Sequence, residues 1–155
     1  MIDTTISLEL LNKSGVNTLC EHLGIEFIEL NVNYLKARMP VDHRTQQQLG
    51  MLNGGASAAL AETTASAASY LSVNRKEFIC FGLEMKINHV KPARNGFVYA
   101  TAVPVHLGFQ THVWQIRVED EQAELIAFST LTLSILPVAG MNNPDIKAFM
   151  SKFVQ

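Results

Sequence analysis

The sequence predicts an α+β domain in which an antiparallel sheet wraps one long helix. Three observations carry that expectation. Residues 45–74 hold a single charged side chain, Glu62, and from Gly54 onward the stretch is rich in Ala, Ser and Thr. Four strand-like runs follow it in close succession, and a two-strand hairpin precedes it. Helix, hairpin, long helix and then strands is a layout in which one sheet can cover one apolar helix.

Taken in order, Thr4 or Thr5 can cap a short helix over residues 7–13, with Leu8, Leu10 and Leu11 on its adhesive side and Gly15 at its end. A second short helix covers residues 17–23 and stops at Gly24. Residues 25–30 and 34–39 read as a hairpin around Asn31-Val32-Asn33, closed by Pro40. The polar segment VDHRTQQQLG is turn-like and leads into the long helix, expected to begin just after the Gly54-Gly55 pair. Asn74-Arg75-Lys76-Glu77 makes a solvated turn. Strands are expected over residues 78–87, 96–105, 112–119 and 125–136, each rich in β-branched or aromatic residues. Pro92, Asn95-Gly96, Gly108 and Asp120-Glu121-Gln122 supply the turns between them. The tail opens with a loop, VAGMNNPD, and its residues 146–153 place Ile146, Phe149, Met150 and Phe153 on one helical face.

The 155 residues make one domain with room for a real core. Charged residues are 17% of the chain, against a norm of about 25%. That deficit suggests surface buried against a second copy, so a homodimer or a dimer of dimers is expected. A formal net charge of −2 leaves no electrostatic footprint for nucleic acid. The long helix is too polar for a membrane span, with Ala, Ser, Thr and a central Glu. MIDTTISLEL lacks the basic start and apolar run of a secretory signal, which points to the cytoplasm. Cys20 and Cys80 stand at no metal or redox spacing and read as core thiols. No Cys/His cluster has ligand spacing, so no metal is expected. His22 and His43 read as surface residues, and His112 as a strand residue facing solvent.

The candidate for chemistry is Glu62. A surface helix normally carries a charged face, so a helix with one charge should be mostly enclosed. A carboxylate among Ala58, Ala59, Ala61, Ala65 and Ser66 would then be partly desolvated, and such a group is paired, neutralised or used. Gly54 lies eight residues upstream, about 12 Å along the axis, where a helix start offers unpaired N–H groups. A carboxylate and an oxyanion-binding amide on one helix suit acyl transfer.

Leu52-Asn53-Gly54-Gly55-Ala56 followed by Leu60-Ala61-Glu62 resembles the HGG…(A/V)E signature of hotdog-fold acyl-CoA thioesterases, in the branch of the 4-hydroxybenzoyl-CoA and 1,4-dihydroxy-2-naphthoyl-CoA enzymes. MPVDHRT, GLEMKINHVKPAR, HLG, VWQI and STLTLSIL add to the resemblance, which covers residues 5–137. It implies an acyl-CoA thioesterase acting on an aromatic or medium-sized acyl group, with no cofactor, because coenzyme A is part of the substrate. It implies that Glu62 is the catalytic nucleophile or general base and that the Gly54 N–H polarises the thioester carbonyl. Gln47 is implied near that carbonyl, and Ser66 as a hydroxyl that positions water or the carboxylate. Asn53, Gly82, the block His89, Val90 and Lys91, and the block His106, Leu107, Gly108, Phe109, Gln110 and Thr111 are implied as substrate contacts. A second subunit is implied to complete the site.

Asn53 departs from the family, which usually has His there. Asn still donates a hydrogen bond but does not titrate near neutral pH. Phe109-Gln110 also replaces smaller and more basic residues. Two further readings remain on the sequence: a hotdog-fold hydratase or dehydratase, which the missing His weakens, and a non-catalytic acyl-CoA-binding module.

Overall fold

The computed structural model describes residues 1–153. Its elements are α1 (Leu8–Ser14), α2 (Leu19–Leu23), β1 (Glu26–Asn31), β2 (Tyr34–Pro40), α3 (Gly54–Tyr70), β3 (Phe78–His89), β4 (Phe97–Leu107), β5 (Thr111–Asp120), β6 (Leu125–Pro137) and α4 (Pro144–Ser151). The six strands form one antiparallel sheet in the order β1-β2-β4-β5-β6-β3. The sheet wraps α3, the hotdog arrangement that the sequence led us to expect.

Alternation along the strands explains the wrap. Leu35, Ala37 and Met39 of β2, Val98, Ala100 and Ala102 of β4, and Trp114, Ile116 and Val118 of β5 all point inward and are fully buried. They meet Leu60, Ala61, Thr64, Ala65 and Ala68 of α3, whose small side chains let the helix sit close to the sheet. Pro104 is tolerated inside β4 because it lies beyond the last residue paired with β2, Ala102, and beside the irregularity between Pro104 and His106 where the pairing with β5 shifts register.

Several expectations need correction. α3 begins at Gly54 itself and not after the glycine pair, because Asn53 caps it: its Oδ1 accepts from the Gly55 N–H at 2.7 Å. The cap of α1 is Ser7, not Thr4 or Thr5. α4 starts two residues earlier than expected, with Pro144 in its first turn and Asn143 as cap. His112 does not face solvent. It shares the inward parity of Trp114 and is 3% exposed, with its Nδ1 2.6 Å from Ser69 Oγ. Burial pushes its pKa below the usual value, and the nearby His106 charge adds to that.

The largest correction concerns α3. The sheet encloses only one side of it. Ala56, Ser57, Leu60, Ala61, Thr64 and Ala65 are buried, whereas Gly55 and Glu62 are exposed and Ala58, Ala59, Thr63 and Ser66 are half-open. The helix is uncharged on that open face apart from Glu62. Beside it runs β3, a twelve-residue strand at the free edge of the sheet with Phe81 and Leu83 turned to solvent.

Candidate active site

Around α3 the site residues fall into two groups, one at the start of the helix and one at its middle. The first surrounds the start of α3. A tight loop at Gln47–Met51, closed by the Gln47 N–H to the Met51 carbonyl at 2.8 Å with Gly50 in the left-handed region, sets Gln47 beside the helix. Buried Thr45 anchors that loop, since its hydroxyl donates to the Pro40 carbonyl at 2.7 Å and its own carbonyl accepts the Asn53 N–H at 2.8 Å. The side-chain oxygen of Gln47 accepts the Leu49 N–H, and that of Asn53 accepts the Gly55 N–H. Each amide therefore keeps its NH₂ free to donate.

Gly54 is the first residue of α3, so its N–H has no intrahelical acceptor, and no other described group takes it. The His89 ring presses against this residue: a Cβ at 54 would stand 3.0 Å from its Nε2. Nδ1 of the same ring lies 3.3 Å from Ser57 Oγ. An imidazole thus stands at the helix start although Asn53 supplies none. Gln47, Gly54, Ser57, His89, Val90 and Lys91 share a cavity of about 390 Å³. Lys91 is held there by Glu124 at 2.8 Å, which raises its pKa.

The second group surrounds Glu62. Its carboxylate lies on Gly82 of β3, where a Cβ would come within 2.8 Å of Oε1. The strand bulges between Gly82 and Glu84 as it passes. Glu62 and Ser66 border a cavity of about 690 Å³, otherwise walled mainly by apolar residues from α1, β1, β3 and the tail. Cys20 and Cys80 open on it as free thiols and are half-buried. Burial raises the Cys80 pKa, while the Ser69 hydroxyl pulls the other way. The expected enclosure of Glu62 is absent within one chain, because the carboxylate faces outward from α3.

Gly54 and Glu62 are thus not brought together within one chain: each belongs to its own cavity. The block from His106 to Thr111 lies at the β4–β5 turn and lines neither of them. Phe109 instead packs edge-on against Phe78 at 5.6 Å between ring centres, and the Gln110 carbonyl accepts the Ile135 N–H at 2.9 Å. Sequence reasoning missed the capping role of Asn53 and the contact of Ser57 with His89. The first was legible, since Asn before a Gly-Gly helix start is a preferred cap; the second depends on β3 crossing the helix. Among the described residues, no three His, Cys, Asp or Glu side chains gather as a metal cluster, and no helix is long and apolar enough to cross a membrane.

Comparison with known proteins gives this arrangement a family. The thioesterase superfamily model matches residues 49–127. A thioesterase of known structure from Haemophilus influenzae superposes with a TM-score of 0.88 at 40% identity, over 92% of this chain and 99% of that one. A variant thioesterase from Pseudomonas aeruginosa gives 0.86 at 42% identity, over 88% and 98%. The 1,4-dihydroxy-2-naphthoyl-CoA hydrolase of Escherichia coli is 44% identical over 131 residues, 84% of this chain and 96% of that protein. The chain belongs to the thioesterase superfamily, and it is an enzyme of thioester hydrolysis.

Proposed function

We propose that the protein hydrolyses acyl-CoA thioesters with Glu62 as the reacting carboxylate and the Gly54 N–H as the oxyanion donor. One observation carries the reading above all: the single carboxylate of α3 stands on Gly82 at the wall of a large apolar cavity. The acyl group occupies that cavity, and Ser66 steadies the water or the carboxylate. The thioester oxygen takes the Gly54 N–H, helped by the free amides of Gln47 and Asn53. As general base, Glu62 takes a proton from the attacking water and passes it to the departing sulfur as the C–S bond breaks, giving the free acid and coenzyme A as its thiol. As nucleophile, it forms an acyl anhydride as the thiolate leaves, and water then cleaves that anhydride, restoring the carboxylate, releasing the acid and supplying the proton of the thiol. The nucleotide arm lies over His89, Val90 and Lys91. No cofactor takes part.

The active protein is a homodimer, two of which can assemble into a tetramer. Two observations support this: the unpaired edge of β3 with its exposed apolar residues, and the open, nearly uncharged face of α3. Two α3 helices crossing antiparallel near Ala58 set residue 54 of one protomer opposite residue 62 of its partner. The separation of about 12 Å within one chain then becomes a close approach between chains. Each site draws its oxyanion donors from one protomer and its carboxylate and acyl cavity from the other.

Solved relatives add support for the residue pair. A Staphylococcus aureus thioesterase, 36–37% identical, was crystallised with a glutamine and, separately, a glutamate replaced by alanine. Those two positions stand fifteen residues apart in that chain, as Gln47 and Glu62 do here. The test is CoA release from a panel of aromatic and straight-chain acyl-CoAs. Glu62→Gln should lower kcat by about 10³ at little change in KM. A Glu62→Gln enzyme within a few-fold of wild type on its best substrate contradicts the assignment. Release of no CoA from any acyl-CoA contradicts the reaction.

A further inference from the structure

The cavity beside Glu62 has an end wall that comes from the tail, not from the sheet. α3 gives the cavity one face at helical spacing: Ala59, Glu62, Thr63, Ser66, Ala67 and Tyr70. The cavity therefore follows the helix from the carboxylate to the C-terminal end of α3. Glu62 and Tyr70 are eight residues apart, about 12 Å along the axis. At Tyr70 two aromatic rings of the tail close the way. Phe149 and Phe153 stand 5.1 and 5.5 Å from the Tyr70 ring centre and 5.2 Å from each other.

Little else holds α4. None of its own residues is fully buried. The tail is fastened at its start, where the Val138 N–H donates to the Glu77 carbonyl at 2.8 Å, and then turns through Gly140 at φ +85°. On the other flank of the helix lies a second cavity of about 360 Å³, between Lys76, Val138, Met141, Ile146 and Met150. An amphipathic helix with open space on both sides is anchored chiefly through the two rings. Among the residues lining the larger cavity, Glu62 is the one charged side chain. A charged or strongly hydrated acyl terminus would lose its water there without a partner.

Resting on the thioesterase reading above, we propose that Phe149 and Phe153 form the end wall of the acyl cavity and set the longest acyl chain the enzyme accepts. Its substrates are then uncharged, straight-chain acyl groups of medium length. An extended chain that reacts at Glu62 and lies along that helix face reaches the wall after roughly nine or ten carbons, given C–C bonds of ~1.5 Å. A single aromatic ring would fill only the part nearest the carboxylate.

The experiment compares full-length wild type with Phe149→Ala, Phe153→Ala, the double variant and Phe149→Trp. CoA release is followed across straight-chain acyl-CoAs from four to sixteen carbons and across benzoyl-CoA and phenylacetyl-CoA. Wild-type kcat/KM should peak near eight to ten carbons and fall about tenfold or more by sixteen. The alanine variants should move the upper limit out by several carbons while four- and six-carbon substrates stay within about threefold. Phe149→Trp should move the limit inward, and it keeps the test open should the double variant fail to fold. An unchanged profile overturns the proposal, as does an equal loss at every length or a wild-type preference for the aryl substrates. A second arm needs no catalysis: uncharged straight-chain methyl ketones displace the uncharged fluorescent probe N-phenyl-1-naphthylamine from the cavity. Should no acyl-CoA release CoA, the reaction assignment falls alone, and this arm still decides the wall. A length limit in displacement that shifts with the variants supports the wall, and a limit that stays put refutes it.

Discussion

Replacing Gly82 by alanine tests the seat of Glu62 without changing its chemistry. A Cβ at position 82 would lie 2.8 Å from Glu62 Oε1, and the next nearest atom beyond that carboxyl is Leu131 Cδ1 at an ordinary 3.8 Å. Ordinary contact begins near 3.4 Å, so the carboxylate must retreat by about 0.6 Å. Gly82 has no positive φ, and the displaced atom ends a flexible, exposed side chain. Stability should therefore change by less than about 1 kcal/mol. Catalysis is less forgiving, because a misplacement of ~1 Å costs up to ~10² in rate. Gly82→Ala should lower kcat about ten- to a hundredfold, with KM within about threefold and the urea midpoint almost unmoved. The assay is steady-state CoA release read with a thiol reagent. A variant with wild-type kcat would show that the reacting carboxylate is not held on Gly82. A loss confined to KM would show that the methyl group blocks substrate instead.

Three further expectations follow from the same geometry. Asn53 caps α3 and, in the proposed reaction, offers its NH₂ to the thioester oxygen; two variants separate these roles: Asn53→Asp should keep the urea midpoint and lose activity, whereas Asn53→Ala should lose activity and about 1 kcal/mol of stability. His112 is kept neutral by burial, so the unfolded chain binds a proton that the folded chain resists. Stability should be full above pH 6.5 and fall by at most about 1.4 kcal/mol per pH unit below it, levelling off under the folded pKa. Urea midpoints at pH 7.5 and 5.5 should then differ less in His112→Gln than in wild type. Cys20 and Cys80 line the cavity proposed for the acyl group, so a saturating acyl ligand should slow their alkylation at least several-fold, measured by intact mass; equal rates with and without ligand would place the acyl group elsewhere.

Much of the fold was legible because strand parity and turn residues are local signals. The alternation through β5 and the turn at Asp120–Gln122 set both ends of that strand. The same parity places His112 inward beside Trp114, and there the register outweighs the preference of a polar side chain for solvent. The site was less legible for a different reason. Ala, Ser and Thr cover both faces of α3, so the sequence signals that the helix is covered without saying by what. The structure divides that cover: the sheet takes one face, and the face with Glu62 and Ser66 is left open. The packing of Phe149 and Phe153 on Tyr70 was hidden too, because an amphipathic tail helix does not reveal which surface it will meet.

The claim that the two halves of the site come from two protomers has a direct test. Proline is tolerated at the first position of a helix, so Gly54→Pro removes the oxyanion N–H, while Gly54→Ala adds the same Cβ near His89 and keeps the N–H. Gly54→Pro should lose ~10²–10³ in kcat beyond whatever Gly54→Ala loses. Glu62→Gln and Gly54→Pro chains, each nearly inactive alone, are then mixed, dissociated and reassociated. A mixed dimer holds one site with both the intact N–H and the intact carboxylate. Random reassociation should return about a quarter of wild-type activity by this composite geometry. Activity that stays at the level of the separate variants, once mixed dimers are shown to form, would place both groups of each site in one chain and contradict the account.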